Sequence, residues 1–295
     1  MQAQFAIALP AGYRTGDVLS FHARDAQGLA EQLTPGGLRK GVLLDGSAVL
    51  LEVDFAAEAA SCTVDADGPL PPALLERARE ALLNILGLRI DPAAFAAFAR
   101  DDAALGAIVA RRPGLRIVQS ATIFEALTWA IIGQQINLPF AISLRRSFIE
   151  LAGRPHSSGL WCYPEAVDVA RLALDDLTSK KFSRAKAETL LRLAQLVMDG
   201  GVVLDRERPV AEVVPELLAV KGIGPWTVNY ALLRGYGYPD CSLEGDVAIR
   251  TALHRLLGGD ERPGIAAAQR LLERYAPHRT MAAAYLWASL GQQTD

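Results

Sequence analysis

No stretch of this chain stays apolar for the roughly 20 residues that a membrane-spanning helix needs. The N-terminal FAIALPAG is short and has no basic flank, so no signal peptide is expected either. Cysteine is scarce: Cys62, Cys162 and Cys241 stand far apart, which excludes a CxxC knuckle and an even disulfide framework. The histidines at 22, 156, 254 and 278 are as scattered, and no dedicated transition-metal site is expected. Neither GxGxxG nor GxxxxGKS/T occurs, so the common nucleotide-binding glycine loops are absent. A large charge of one sign is missing too. The net charge of −3 and a pI near 5.9 exclude a polybasic, non-specific nucleic-acid binder. These absences describe a soluble chain that is expected to be cytoplasmic.

The sequence does contain ample core-forming material. With 295 residues, 51% of them hydrophobic, it can fill two or three domains. Up to about residue 70 there are strand-like runs, QFAIAL, DVLSFHA, GVLLDG, AVLLEVDF and ASCTVDA, separated by PAG, TPGG and DGPLPP. One helical stretch is expected around 25–33. Beyond Pro71-Pro72 apolar residues recur at helical spacing, and nothing later reads as a strand. Helices are expected at about 92–100, 102–111, 121–136, 138–151, 164–171, 183–199, 211–219, 225–235, 246–257, 264–275 and 279–290. The fold class is therefore α+β: a small N-terminal domain with an antiparallel sheet, followed by an all-α part.

The most informative stretch is LLAVKGIGPWTVNY, residues 217–230. Two glycines around Ile223 permit a tight reversal between helices, with Ile223 turned inward as a plug. Pro225 suits the first turn of a new helix. Backbone amides near Gly222, Gly224 and Trp226 then sit at the positive end of that helix, where an anion such as a DNA phosphate would bind without regard to base sequence. Lys221 would add a contact. The same residues also fit an ordinary αα-corner with a glycine C-cap.

Asp246 follows Gly245 and opens the helix DVAIRTALHRLL, so it reads both as an N-cap and as a carboxylate able to stabilise positive charge. Trp226 and Tyr230 share one helical face just after the hairpin. Trp129 and Trp161 read as core, Trp129 lying within the apolar IFEALTWAII. Gln134, Gln135 and Asn137 stand at a helix end before Pro139, either as a plain boundary or as a DNA-facing loop. Two basic clusters, Arg111, Arg112, Arg116, Arg145, Arg146 and Arg154, and Lys180, Lys181, Arg184, Lys186 and Arg192, are each a solvated face or a phosphate clamp.

LLAVKGIGPWTVNYALLRG followed by LEGDVAIR resembles the helix-hairpin-helix, Gly/Pro-rich loop and aspartate signature of the base-excision DNA glycosylase superfamily. AIIGQQINLPFA is similar to the segment of that family that enters DNA beside the lesion. The strand-rich N-terminus, RRPGLRI and AAAYLWASLG narrow the likeness to AlkA-type DNA-3-methyladenine glycosylases II, over nearly the whole chain. The resemblance implies a two-part helical core, residues 91–120 plus 239–295 and residues 121–238, behind an N-terminal domain of residues 1–90. It implies Asp246 as the catalytic aspartate and Phe21, Trp226, Tyr230 and Trp287 as the base pocket. Gln134, Gln135, Ile136, Lys221, Gly222, Ile223 and Gly224 would contact DNA, with Gln135 or Ile136 as the intercalating wedge where leucine is common. A monovalent cation would rest on the carbonyls of Leu218, Val220 and Ile223. Trp226 stands where bifunctional relatives carry a Schiff-base lysine, which implies hydrolysis without strand cleavage. Cys241 is the last cysteine, which implies no iron–sulfur cluster.

The expected function is thus a monomeric, monofunctional glycosylase that removes flipped-out alkylated purines from damaged double-stranded DNA, with no cofactor in catalysis. A non-catalytic helix-hairpin-helix module that binds DNA or recruits a repair partner, and a helical protein unrelated to DNA, are the alternatives.

Overall fold

Strand-like runs separated by turn residues build a sheet in the first part of the chain, and its central strands are buried on both faces. The computed structural model describes residues 1–291. The chain begins β1 (Gln2–Ala8), α1 (Thr15–His22), β2 (Glu31–Leu33), β3 (Gly37–Leu44), β4 (Ser47–Phe55) and β5 (Ala59–Ala66). The helices α2 (Pro72–Ile85), α3 (Pro92–Phe98), α4 (Gly106–Arg111), α5 (Ile123–Gly133) and α6 (Leu138–Ala152) follow. Two short strands, β6 (Arg154–Pro155) and β7 (Trp161–Tyr163), precede α7 (Ala166–Val169), α8 (Leu174–Thr178), α9 (Arg184–Met198) and α10 (Val210–Leu218). Then α11 (Pro225–Ala231) runs on as a π-helical turn over Leu232–Tyr236, and α12 (Val247–Leu257), α13 (Ile265–Glu273) and α14 (Arg279–Leu290) complete the described chain.

The sheet order is β1-β5-β4-β3-β7-β6, with β2 also paired to β3. Asp45 and Gly46 turn the β3–β4 hairpin with φ of 49° and 71°, the left-handed pair that matches strand twist. Buried Leu74, Ala78, Ala81, Leu82 and Ile85 recur at helical spacing along α2 and join the apolar face of the sheet in one core. A second, larger core runs through the helices of 91–120 and 239–291 and those of 121–238 without a break. Among the described residues no helix is long and apolar enough to cross a membrane.

Three expectations are corrected. DVLSFHA, read as a strand, forms α1, which buries Val18 and His22 four residues apart on one face. The helix expected at 25–33 is instead a series of turns ending in β2. Strands also occur beyond residue 72: β7 pairs in parallel with β3, so a segment between α6 and α7 completes the N-terminal sheet. Three residues are too few to show alternation, which is why WCY gave no signal. Gly41 makes the pairing possible, since a Cβ there would lie 2.2 Å from the Trp161 carbonyl oxygen. In addition, α8 escaped notice, and the helix expected at 225–235 changes hydrogen-bond register at Leu232.

Sheet and helices are also joined by buried charge. Lys40 of β3 donates to Glu31 of β2 and, at 2.8 Å, to Glu125 of α5. Arg145 of α6 reaches the same two carboxylates at 2.8 and 2.9 Å. His22 Nδ1 lies 3.3 Å from Glu31.

Candidate active site

The reversal between α10 and α11 rests on one glycine more than on the other. Gly222 has φ of +100°, and a Cβ at that position would stand 2.0 Å from the Thr189 hydroxyl of α9. Val220 and Ile223 are buried beneath the turn, and the Ile223 amide closes it by donating to the Val220 carbonyl at 2.9 Å. Neighbouring side chains hold the outside. Gln134, at the end of α5, donates to the Gly222 carbonyl (3.1 Å) and to the Thr227 hydroxyl (2.9 Å), and Arg192 donates to the Lys221 carbonyl (2.9 Å). Gly224 differs: its φ is −108°, and a Cβ would meet nothing within 4 Å. Its second-glycine role in tightening the turn is therefore corrected, because the fold does not need a glycine there. The amides of Gly222 and Gly224 donate to no backbone carbonyl among the described residues.

Directly behind the hairpin stands Asp246. As N-cap of α12 it accepts the Ile249 amide on Oδ1 at 3.0 Å, so the capping role is real. The same carboxylate also accepts two indole N–H groups, Trp226 Nε1 on Oδ2 at 3.0 Å and Trp287 Nε1 on Oδ1 at 3.3 Å. A residue from the hairpin helix and one from α14 thus converge on a single acid. Tyr230 bridges the two indoles, with ring centroids 5.4 Å from Trp226 and 6.4 Å from Trp287. Trp129, expected to be core, is only half-buried and donates its Nε1 to the Tyr230 hydroxyl at 3.0 Å. Trp161 is likewise half-buried, in β7.

On the far side of Trp287 opens a cleft of about 380 Å³. Phe21, Trp287 and Arg24, Arg112, Arg116 and Arg234 are among its lining residues. Phe21 is not a free stacking face. The Arg24 and Arg234 guanidinium carbons lie 4.0 and 4.8 Å from its ring centroid. Arg234 comes from the π-helical turn and is buried; burial pushes it down to about 10, with Arg24 adding to the effect and Tyr230 opposing it. No sequence signal singled out Arg234 or Trp129, since an arginine or tryptophan on a helix says nothing about which neighbours it meets.

Residues 128–278, slightly more than half of the chain, match the model of the HhH-GPD superfamily of base excision DNA repair proteins. The chain belongs to this superfamily. It is 30% identical over 188 residues to a putative DNA-3-methyladenine glycosylase of Bacillus subtilis, covering 63% of this chain and 65% of that one. It is also 30% identical over 196 residues to DNA-3-methyladenine glycosylase 2 of Escherichia coli, covering 65% and 66%. The chain thus spans just under two thirds of the length of either relative. A solved 3-methyladenine DNA glycosylase from Archaeoglobus fulgidus shares the fold at a TM-score of 0.82 and 22% identity, over 99% of this chain and all of that one.

Around the hairpin of this HhH-GPD protein the remaining expected residues separate by direction. Gln135 is exposed, with φ of +55°, whereas the adjacent Ile136 packs against the helical core. Gln134 has its amide nitrogen committed to the hairpin, and Lys221 is exposed. The basic clusters are not continuous faces. Arg145 is buried among carboxylates, Arg146 pairs with Asp25 at 3.4 Å, and Arg116 donates to the Gly87 carbonyl at 3.3 Å. Lys186 turns inward to cap the Ile132 carbonyl at 2.7 Å, and Arg184 pairs with Glu188 at 2.8 Å. Among the described residues no group of three or more His, Cys, Asp or Glu could hold a metal ion. Leu218 ends α10, and Val220 and Ile223 lie in the turn that follows it, where the Val220 carbonyl already accepts the Ile223 amide at 2.9 Å.

Proposed function

We propose that this protein is a monofunctional DNA glycosylase that hydrolyses the N-glycosidic bond of an alkylated purine flipped out of duplex DNA, leaving an abasic site. The observation that carries the reading is the Asp246 carboxylate, held by two indole N–H groups and a helix N-terminus beside an aromatic cluster. A carboxylate has about four acceptor positions. The indoles and the Ile249 amide fill both on Oδ1 and one on Oδ2, which leaves one on Oδ2 for a water or for the electron-poor sugar.

The chemistry follows from that arrangement. A base inside the stack is out of reach, so it must be extruded into a pocket. Alkylation at N3 or N7 makes the purine cationic and therefore a ready leaving group. As the bond between the sugar's C1′ and the base nitrogen breaks, its electron pair leaves with the base and C1′ becomes positive. A fixed carboxylate in a partly water-excluded site stabilises that charge and can take the proton of the water that adds to C1′. The electron-rich faces of Trp226 and Trp287 favour a flat, positively charged base, while Tyr230, expected in the pocket, is buried and backs the two indoles. Beside the Asp246 carboxylate stands the Trp226 indole, which has no amine to form an imine, and this supports hydrolysis over an imine intermediate with strand cleavage.

The unused Gly222 and Gly224 amides, with Lys221, suit a DNA phosphate, and the open space before Gly224 lets a backbone approach closely. Exposed Gln135 is the better candidate to fill the gap left by the flipped base, since Ile136 is held by the core. The carbonyls of Leu218, Val220 and Ile223 suit a monovalent cation, neutral oxygen donors that would tie the turn without entering the chemistry. The deciding experiment is base release by wild type and Asp246→Asn from alkylated duplex. The amide is expected to lose base release by at least about a hundred-fold while binding the duplex as before. No release by the wild type from any damaged duplex would leave a non-catalytic DNA-binding module instead.

A further inference from the structure

We infer that the cleft beyond Trp287 is a phosphate subsite, in which Arg24 and Arg112 hold a phosphate ester of the damaged strand next to the flipped nucleotide.

Four arginines and one carboxylate line this cleft, in a chain whose net charge is −3. The carboxylate gives no relief, because Arg14 holds both oxygens of Asp17. Two of the arginines are committed elsewhere. Arg116 donates to the Gly87 and Ile90 carbonyls at 3.3 and 3.5 Å, and buried Arg234 donates to the Val118 carbonyl. Arg24 and Arg112 differ from both. Arg24 is exposed and Arg112 half-buried, and neither guanidinium has a hydrogen-bond or ion-pair partner among the described residues. None of their nitrogens is sealed from solvent, so each remains open to a ligand.

The charges are also crowded. Arg24 and Arg234 lie 4.0 and 4.8 Å from the same Phe21 ring centroid, well inside the ~10 Å over which charges act at 0.1 M salt. Arg112 and Arg116 reach the cleft from the two sides of one turn, which the Leu115 amide closes on the Arg112 carbonyl at 3.4 Å and Gly114 permits with φ of +72°. Like charges that the fold holds together repel one another. An anion placed among them turns that repulsion into attraction.

The donors and the walls say which anion. A cationic alkylated base would be repelled here, so the cleft does not repeat the aromatic pocket. A guanidinium fork matches two oxygens of a phosphate, and exposed Ser20 adds a hydroxyl donor. A cleft of about 380 Å³ walled by Phe21 and Trp287 is larger than a bare ion needs and has room for a nucleotide unit. Trp287 fixes the place: its Nε1 lies 3.3 Å from Asp246 while its ring lines the cleft, so the cleft begins one indole away from the carboxylate. Phosphates flank every sugar of a strand, and a sugar held at Asp246 brings one of them towards Arg24 and Arg112. A free nucleotide carries the same group.

The test measures affinity for a duplex with a stable abasic-site analogue across salt concentrations, using wild type, R24Q, R112Q and the double variant. Inorganic phosphate and deoxyadenosine monophosphate are titrated in parallel. Each glutamine is expected to lower the slope of log affinity against log salt by about one, with a loss of about three- to ten-fold at 0.1 M salt. R24K and R112K keep the charge and should restore most of the slope. Arg79→Gln controls for net charge alone: Arg79 is likewise exposed and lies 4.0 Å from a ring centroid, that of Phe5, but does not line the cleft. If the slope holds while deoxyadenosine monophosphate binds wild type and not the double variant, the ester comes from a free nucleotide and the subsite stands. An unchanged slope without nucleotide binding, or an equal drop for Arg79→Gln, overturns it. Failure of the wild type to release any base would end the glycosylase reading and leave these binding measurements as readable as before.

Discussion

Asp246 serves two purposes with one side chain, and substitutions can separate them. Asp246→Asn keeps an acceptor for the Ile249 amide but turns its NH2 towards the Trp226 N–H, so the cap is expected to hold at a modest cost in stability while base release is lost. Asp246→Ala removes the cap as well and should cost about 1 kcal/mol of stability in denaturant melts. Trp226 supplies both a ring and an N–H. Trp226→Phe keeps the ring and removes the donor to Oδ2, and base release is expected to slow about ten-fold with duplex affinity unchanged. An equal drop in affinity would mean that Trp226 acts on DNA rather than on the carboxylate. At this scale the sequence was informative about Asp246, Trp226 and Tyr230, whose spacing from the hairpin sets them near it. It was silent about Trp129 and Arg234, whose partners come from other helices.

The hairpin is the element on which the reading depends, and its two glycines give opposite expectations. Gly222→Ala meets a positive φ and the Thr189 hydroxyl together, and thermal melts should show a loss of about 1–3 kcal/mol or more. Gly224→Ala meets neither, so its stability should be unchanged while duplex affinity falls. If Gly224→Ala binds duplex as tightly as wild type, the hairpin does not approach the phosphates. A glycine in a motif does not say whether its freedom serves the fold or a ligand. That question is settled by what surrounds the missing Cβ.

Across the whole molecule, Lys40, Glu31, Glu125 and Arg145 join the sheet to the helices that carry the site. Burial opposes ionisation of both glutamates. Lys40 and Arg145, with His22 beside Glu31, outweigh it and hold both carboxyls below the ordinary glutamate value of 4.5. A carboxyl depressed in the folded state stabilises the fold above its unfolded value and loses that contribution as pH falls through the folded one. The network should therefore contribute fully above about pH 5 and fade below pH 4.5, visible as a steep acid-side loss in melting temperature. Lys40→Met leaves two buried carboxylates to share Arg145 and should cost about 3–5 kcal/mol. The same substitution should shift the acid-side transition to higher pH.

By itself the sequence determined the elements whose signal is local: the strand-like runs and turn residues from β3 to β5, the helical periodicity after Pro71-Pro72, and a helix-hairpin-helix followed by a capping aspartate. Each depends on residues a few positions apart, where periodicity and turn chemistry act directly. Tertiary structure alone decided that β7 would complete the N-terminal sheet, that Arg145 would be buried between two carboxylates instead of facing solvent, and that Trp226 and Trp287 would meet on Asp246. Those contacts join residues tens to more than a hundred positions apart. Their cost in chain entropy is met only by burial that the whole fold creates, and no local pattern records it.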